Sequence, residues 1–151
     1  MFTLKTKTLR TLTFMFFISI SAITINAQEW QTDIEKAKEL AAAKDRNIVL
    51  VFQGTYWCAP CIKLENEIWK SVEFKNYAKE HFVLLKAEFP RRKKNQLSKE
   101  QQKINNSLAE KYNTQGYFPL VVVLDKDGNV LRTTGYKKVT PKEYINILTS
   151  F

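Results

Sequence analysis

The sequence predicts an α/β domain: a mixed central sheet of four or five strands with helices on both faces. Three observations carry this. Short apolar runs alternate with longer stretches of helical periodicity. Strands separated by helices need right-handed crossovers, which builds a parallel core. The last two runs are joined only by Asp125-Lys126-Asp127-Gly128, a hairpin signal that adds antiparallel edge strands.

The elements follow in order. Thr32 with Glu35 fits a capping box, and Ile34, Ala37, Leu40 and Ala41 form a helical stripe through about Ala43. Asn47 to Phe52 is a continuous apolar run, as expected of a strand covered on both faces. Gln53 to Trp57 is a loop. From about Ala59, the residues Ile62, Leu64, Glu65 and Ile68 continue as a helix, and Ser71 caps a further turn carrying Phe74, Tyr77 and Ala78. Phe82 to Phe89 is a second strand, ended by Pro90. After a basic loop, Ser98 and Gln101 open a helix with Ile104, Leu108, Ala109 and Tyr112 on one face. Leu120 to Leu124 is a third, buried strand, and Val130 to Thr133 returns as a fourth. Thr140, Pro141 and Glu143 supply a cap, a first-turn proline and a box partner for a last helix to Ser150.

The chemistry concentrates in Trp57-Cys58-Ala59-Pro60-Cys61. Cys58 and Cys61 are the only two cysteines, three apart, after a strand pattern and before a helical one. Two thiols at that spacing can close a small disulfide. At a helix N-terminus the first thiol also meets free N–H groups and the positive end of the dipole. Both favour the thiolate, the nucleophile of disulfide exchange. Other uses of the pair fit less well. A zinc site needs about four ligands, and the chain adds only one histidine, His81. Covalent haem attachment wants histidine after the second cysteine, and position 62 is Ile62. A structural staple over so short a loop gains little from chain entropy. A redox centre is the expectation.

The first 27 residues read as a secretory signal. Lys5, Lys7 and Arg10 precede an apolar stretch from Leu12 to Ile25, and Ala27 offers a small residue for cleavage before Gln28. The alternative is an uncleaved N-terminal membrane anchor. The remainder, 28–151, suits one domain. The chain's formal charge is +9, and three basic residues fall in the signal, leaving +6. Acidic residues are spread along the chain, which argues against a nucleic-acid binder. Secreted proteins usually use cysteines as structural bridges, so a lone spaced pair again favours catalysis.

The arrangement, with Trp-Cys-x-x-Cys closing the first core strand, resembles the thioredoxin superfamily over nearly all of the mature chain. Phe118-Pro119 precedes the third strand where that family carries a cis-proline, Asp125–Gly128 falls at its hairpin, and Gly135 follows the last strand. Within the superfamily the motif and the following Ile-Lys-Leu-Glu-Asn-Glu look like the secreted disulfide-isomerase-like branch and the thioredoxin-like domains of periplasmic disulfide reductases. The resemblance implies a three-layer thioredoxin-like fold. It implies that Cys58, the more exposed thiol, attacks a client disulfide and that Cys61 resolves the mixed disulfide. It places Pro119 in cis beside the cysteines, with Phe118, Trp57 and Pro60 on the client-binding edge.

One departure from the cytosolic pattern matters. The family's buried acid beneath the motif falls at Phe52, which cannot carry a proton. Lys86 falls near the lysine that pairs with that acid. Glu88 and Glu65 are candidates to replace it in a proton relay; the alternative is that both are solvated carboxylates. Trp30 and Trp69 are expected as packing residues. The basic run Arg91-Arg92-Lys93-Lys94 reads first as a solvated loop, and second as a dock for acidic clients or anionic lipid head groups.

The expected function is thiol–disulfide exchange with secreted or periplasmic protein clients, without cofactor or metal. A separate redox partner recycles the pair. A monomer is expected, with membrane contact only through the N-terminal segment. The rival is a non-catalytic binding module with the same fold, or a carrier of a soft metal such as Cu(I).

Overall fold

The structure, a computed structural model, describes residues 28–151. The signal segment of the sequence reading lies outside them. Five strands form one sheet in the order β1-β3-β2-β4-β5. They are β1 (Trp30–Gln31), β2 (Asn47–Gln53), β3 (Phe82–Glu88), β4 (Leu120–Leu124) and β5 (Val130–Thr134). β3 is parallel to β1 and β2, whereas β4 is antiparallel to β2 and β5. The hairpin therefore contributes only one edge strand, β5. Val121–Leu124 of β4 is fully buried, and pairing on both sides satisfies its backbone.

Five α-helices cover the sheet: α1 (Ile34–Lys44), α2 (Ala59–Leu64), α3 (Val72–His81), α4 (Lys99–Tyr112) and α5 (Pro141–Thr149). Successive strand residues point to opposite faces, so β2 feeds two cores. Ile48, Leu50 and Phe52 join Ala37 and Ala41 of α1 and Leu108 of α4. Val49 and Val51 join Leu64 of α2, Phe74 and Ala78 of α3, and Tyr144 and Leu148 of α5. In the second core Trp69 is fully buried, with ring centroids 4.6 Å from Phe74, 5.5 Å from Tyr144 and 5.8 Å from Trp30.

Four details differ from the sequence expectation. β1 pairs with Leu84 and Leu85 but spans two residues, too few to show a period. The first helix is capped by Asp33 rather than Thr32: its Oδ1 accepts the N–H of Glu35 at 2.8 Å and of Lys36 at 3.4 Å. The strand expected to end at Phe52 runs on to Gln53, paired with Glu88. The helix expected from Ala59 through Ile68 changes at Glu65 into a π-helical turn, Glu65–Trp69, with the Lys70 N–H reaching the Glu65 carbonyl at 3.0 Å. That wider turn lets adjacent residues Ile68 and Trp69 both be fully buried. Elsewhere the caps fall as expected. Ser71 receives the Phe74 N–H at 3.1 Å, Ser98 receives the Gln101 N–H at 3.1 Å, and Thr140 with Glu143 forms a full capping box.

Topology gathers the site. β2 and β3 are parallel, so both C-terminal ends lie at one end of the sheet, where the Cys58 segment and the Phe89–Lys94 segment emerge. β4 is antiparallel to β2, so its N-terminal end, with Phe118-Pro119 just before it, lies there too.

Candidate active site

Cys58 is the N-cap of α2. Its Sγ accepts the backbone N–H of Cys61 at 3.3 Å, and Pro60 occupies the first turn, where no helical N–H is needed. The two sulfurs form a disulfide, with S–S 2.10 Å and Cα–Cα 5.2 Å. Both residues are buried in this oxidised state, Cys58 at 5% and Cys61 at 3% exposure. A hydrogen bond from backbone N–H stabilises the charged form of a thiol. The cap thus points a backbone N–H at Cys58 Sγ, a donor able to stabilise negative charge on that sulfur.

A polar clamp fixes the loop between β2 and α2. Glu88, at the end of β3, accepts the Thr55 N–H and the Thr55 hydroxyl at 2.6 Å each. Gln53 Nε2 donates to the same carboxylate at 3.0 Å and to Thr55 Oγ1 at 2.9 Å. Gly54 is required by contact: a Cβ there would run into the Trp57 indole. Trp57 Nε1 donates to the Phe89 carbonyl at 2.7 Å. The Arg91 guanidinium carbon lies 3.5 Å from the centroid of the Trp57 ring.

The expected client-edge residues divide. Trp57 and Phe118 meet edge to face at 5.3 Å, and Phe89 joins Phe118 at 5.4 Å. Pro60 is exposed and Pro119 is buried. The Phe118–Pro119 bond is cis. A Cβ on Gly135 would stand 3.2 Å from the Pro119 carbonyl. Tyr56 and Tyr117, which precede Trp57 and Phe118 in the chain, and Ile62, which follows Cys61, are exposed at 63%, 61% and 41%.

The three relay candidates also divide. A small cavity of about 100 Å³ is lined by Gln53, Thr55, Cys61, Ile62, Glu65 and two polar residues of the π turn and its end. Of the three, Glu65 alone lines it, and Glu65 Oε2 is buried with no hydrogen-bond partner. Glu88 commits both oxygens to Thr55 and Gln53. Lys86 lies over the Trp30 ring at 4.7 Å and makes no ion pair with Glu88. Phe52 faces the core of α1 and α4, packed near Phe89, while Gln53, one residue on, lines the cavity with Cys61. Strand alternation thus puts the polar side chain of position 53, rather than that of position 52, in the cavity lined by Cys61. A larger groove of about 590 Å³ lies at the opposite end of the sheet, beside Arg46 and Phe82, and holds neither thiol.

Residues 29–126 match a family described as thioredoxin-like. The chain belongs to the thioredoxin-like family. It is 32% identical over 122 residues to the disulfide bond reductase DsbH of Chlamydia pneumoniae, covering 81% of this chain and 71% of that protein. A solved DsbH oxidoreductase superposes with a TM-score of 0.73 at 28% identity, covering 82% of this chain and 85% of that one. A disulphide isomerase from Xylella fastidiosa superposes at 0.51 with 24% identity, covering 67% of this chain and 70% of that one; it shares the fold. With a Cys-x-x-Cys pair at disulfide distance in this fold, the thioredoxin-like chain is a protein thiol–disulfide oxidoreductase.

Four contributors escaped the sequence reading: Gln53, Thr55, Tyr56 and Tyr117. Gln53 had a usable signal, because period-two alternation from Val49 and Val51 puts position 53 on the α2 face. Thr55 carried none, since its partner Glu88 is 33 residues away.

Proposed function

We propose that the protein is a reductase of disulfides in client proteins outside the cytoplasm. The observation that carries the exchange chemistry is the capping of Cys58 Sγ by the Cys61 N–H. The likeness to a disulfide bond reductase supports the reducing direction. In the dithiol form the Cys58 thiolate attacks one sulfur of a client disulfide. A Cys58–client bond forms and the first client thiolate leaves. Cys61 then loses its proton and attacks Cys58 Sγ, closing the Cys58–Cys61 disulfide and releasing the second client thiolate. The client gains two electrons and the protein loses two. An external dithiol partner must restore the pair.

Glu65 takes the Cys61 proton in this scheme, through water in the shared cavity. Its uncommitted Oε2 and its place in the cavity wall support the role. Trp57, Phe118, Pro60 and Pro119 form the client edge. Residues 1–27 act as a cleaved secretory signal; their basic start, apolar stretch and Ala27 support this. Among the described residues no helix is long and apolar enough to cross a membrane. Mass spectrometry of the exported protein should find a start at or near Gln28, and an intact Met1 start replaces this with an anchored form.

The deciding experiment is catalysed reduction of insulin by dithiothreitol, together with the Cys58–Cys61 reduction potential. A reductase shows turnover and a potential near the reducing end of the thioredoxin-fold range, about −270 mV. An oxidant-like potential near −120 mV reverses the direction. A metal carrier shows tight Cu(I) stoichiometry without turnover.

A further inference from the structure

We propose that the basic loop Arg91–Lys94 selects clients whose disulfide is flanked by acidic side chains. The inference rests on the reductase function and adds its substrate class.

Parallel pairing of β2 and β3 brings this loop out beside the Cys58 segment. Two contacts fasten it there. The Trp57 indole donates to the Phe89 carbonyl at 2.7 Å, and the Arg91 guanidinium covers the Trp57 ring at 3.5 Å. The first cation of the run is thus stacked on the residue preceding the nucleophile. A short 3₁₀ turn, Lys93–Asn95, holds the rest, with the Asn95 N–H on the Arg92 carbonyl at 2.9 Å. A loop that served solubility alone would need no seat on Trp57.

All four cations are exposed. The ion pair found among the described residues is Lys38–Glu35, so no carboxylate neutralises the loop. Glu88, three residues upstream of Arg91, is committed to Thr55 and Gln53. The linked rings of Phe118, Trp57 and Phe89, preceded in the chain by exposed Tyr117 and Tyr56, thus run up to Arg91 and four positive charges with no carboxylate partner. An extended client segment with Asp or Glu beside its cysteine complements both. Such a patch raises the local concentration of an anionic segment, and salt screens the effect. Arg91 and Arg92 can also engage a carboxylate in bidentate fashion.

The test uses three peptides that close the same disulfide ring and carry flanking Asp, Asn or Lys pairs. Each is reduced by the dithiol form of the protein in stopped flow, and each rate is divided by its rate with dithiothreitol. The Asp peptide should react about tenfold faster than the Asn peptide at low salt, and the Lys peptide more slowly. High salt should abolish the order. So should the triple variant Arg92→Gln, Lys93→Gln, Lys94→Gln, whose unchanged melting temperature would show that it folds. Equal rates for the three peptides, or a preference that survives in the variant, overturn the proposal while leaving the reductase function standing. No reduction of any peptide overturns both. Binding to phosphatidylglycerol vesicles that the variant loses, with equal peptide rates, assigns the loop to lipid and also overturns it.

Discussion

Thr55 and Glu88 are joined twice, backbone N–H to Oε1 and hydroxyl to Oε2, both at 2.6 Å. The pair ties the loop that leaves β2 to the end of the neighbouring strand. It fixes the path into the α2 cap, so a carboxylate three residues before the basic loop holds the loop that carries Cys58 without touching sulfur.

Glu88→Ala removes three hydrogen bonds to an ionised acceptor and leaves Gln53, which is 3% exposed, short of a partner. Bonds to charged groups contribute about 1.5–3 kcal/mol each, with strong coupling inside a network. The denaturant midpoint should fall by the equivalent of about 2–3 kcal/mol. The rate of mixed-disulfide formation should fall as well. A variant as stable and as fast as the parent removes the clamp from the account.

Cys61→Ser should accumulate mixed disulfides with clients through Cys58, because the resolving sulfur is gone. Cys58→Ser should accumulate none. Non-reducing gels with peptide mapping decide this, and trapping through Cys61 alone reverses the assignment.

Glu65→Gln keeps the shape of the cavity wall but not the proton acceptor. Attack on the client should be unaffected, whereas closure of the Cys58–Cys61 disulfide should slow by about tenfold or more, in line with the loss of a general base. Rapid acid quench separates the two steps. If closure keeps its rate and its pH profile, the Cys61 proton leaves by another route.

Gly54→Ala forces a methyl group into the Trp57 indole. The ring must move, which breaks its bond to the Phe89 carbonyl and its stack with Arg91. Overpacking of this kind costs about 1–3 kcal/mol. Denaturant unfolding should show the loss, tryptophan fluorescence should shift, and the reduction of peptide disulfides should slow. An unchanged spectrum means that the indole does not sit on Gly54.

The α5 capping box gives a pH signature. The Thr140 N–H and hydroxyl both donate to Glu143 at 2.8 Å, and these bonds hold its carboxyl below the ordinary value of 4.5. A group whose pKa is depressed by folding stabilises above the unfolded value and loses that contribution as pH falls through the folded one. The melting-temperature gap between parent and Glu143→Ala should therefore be full near neutrality and narrow below about pH 4.5. A gap independent of pH would mean that the cap acts without its charge.

The amino-acid sequence by itself determined the elements and the chemistry. Local patterns sufficed for four of the five strands, because runs such as Leu120–Leu124 are covered on both faces and read as continuous apolar stretches. The Ser71, Ser98 and Thr140 caps were legible because each acts within one turn. The Cys58–Cys61 pair was legible because its spacing is itself the chemistry. Tertiary structure decided what local rules cannot reach. β1 exists only through its pairing with Leu84 and Leu85. The π turn exists because Ile68 and Trp69 both enter one core. Gln53 rather than Phe52 faces the Cys61 cavity because α2 crosses one chosen face of the sheet. Glu88 was committed to Thr55 and Gln53, and Arg91 was seated on Trp57, by the parallel register of β2 and β3. Thr55 and Glu88, like Trp57 and Arg91, lie more than thirty residues apart in the chain, and the parallel pairing of β2 and β3 brings them into contact.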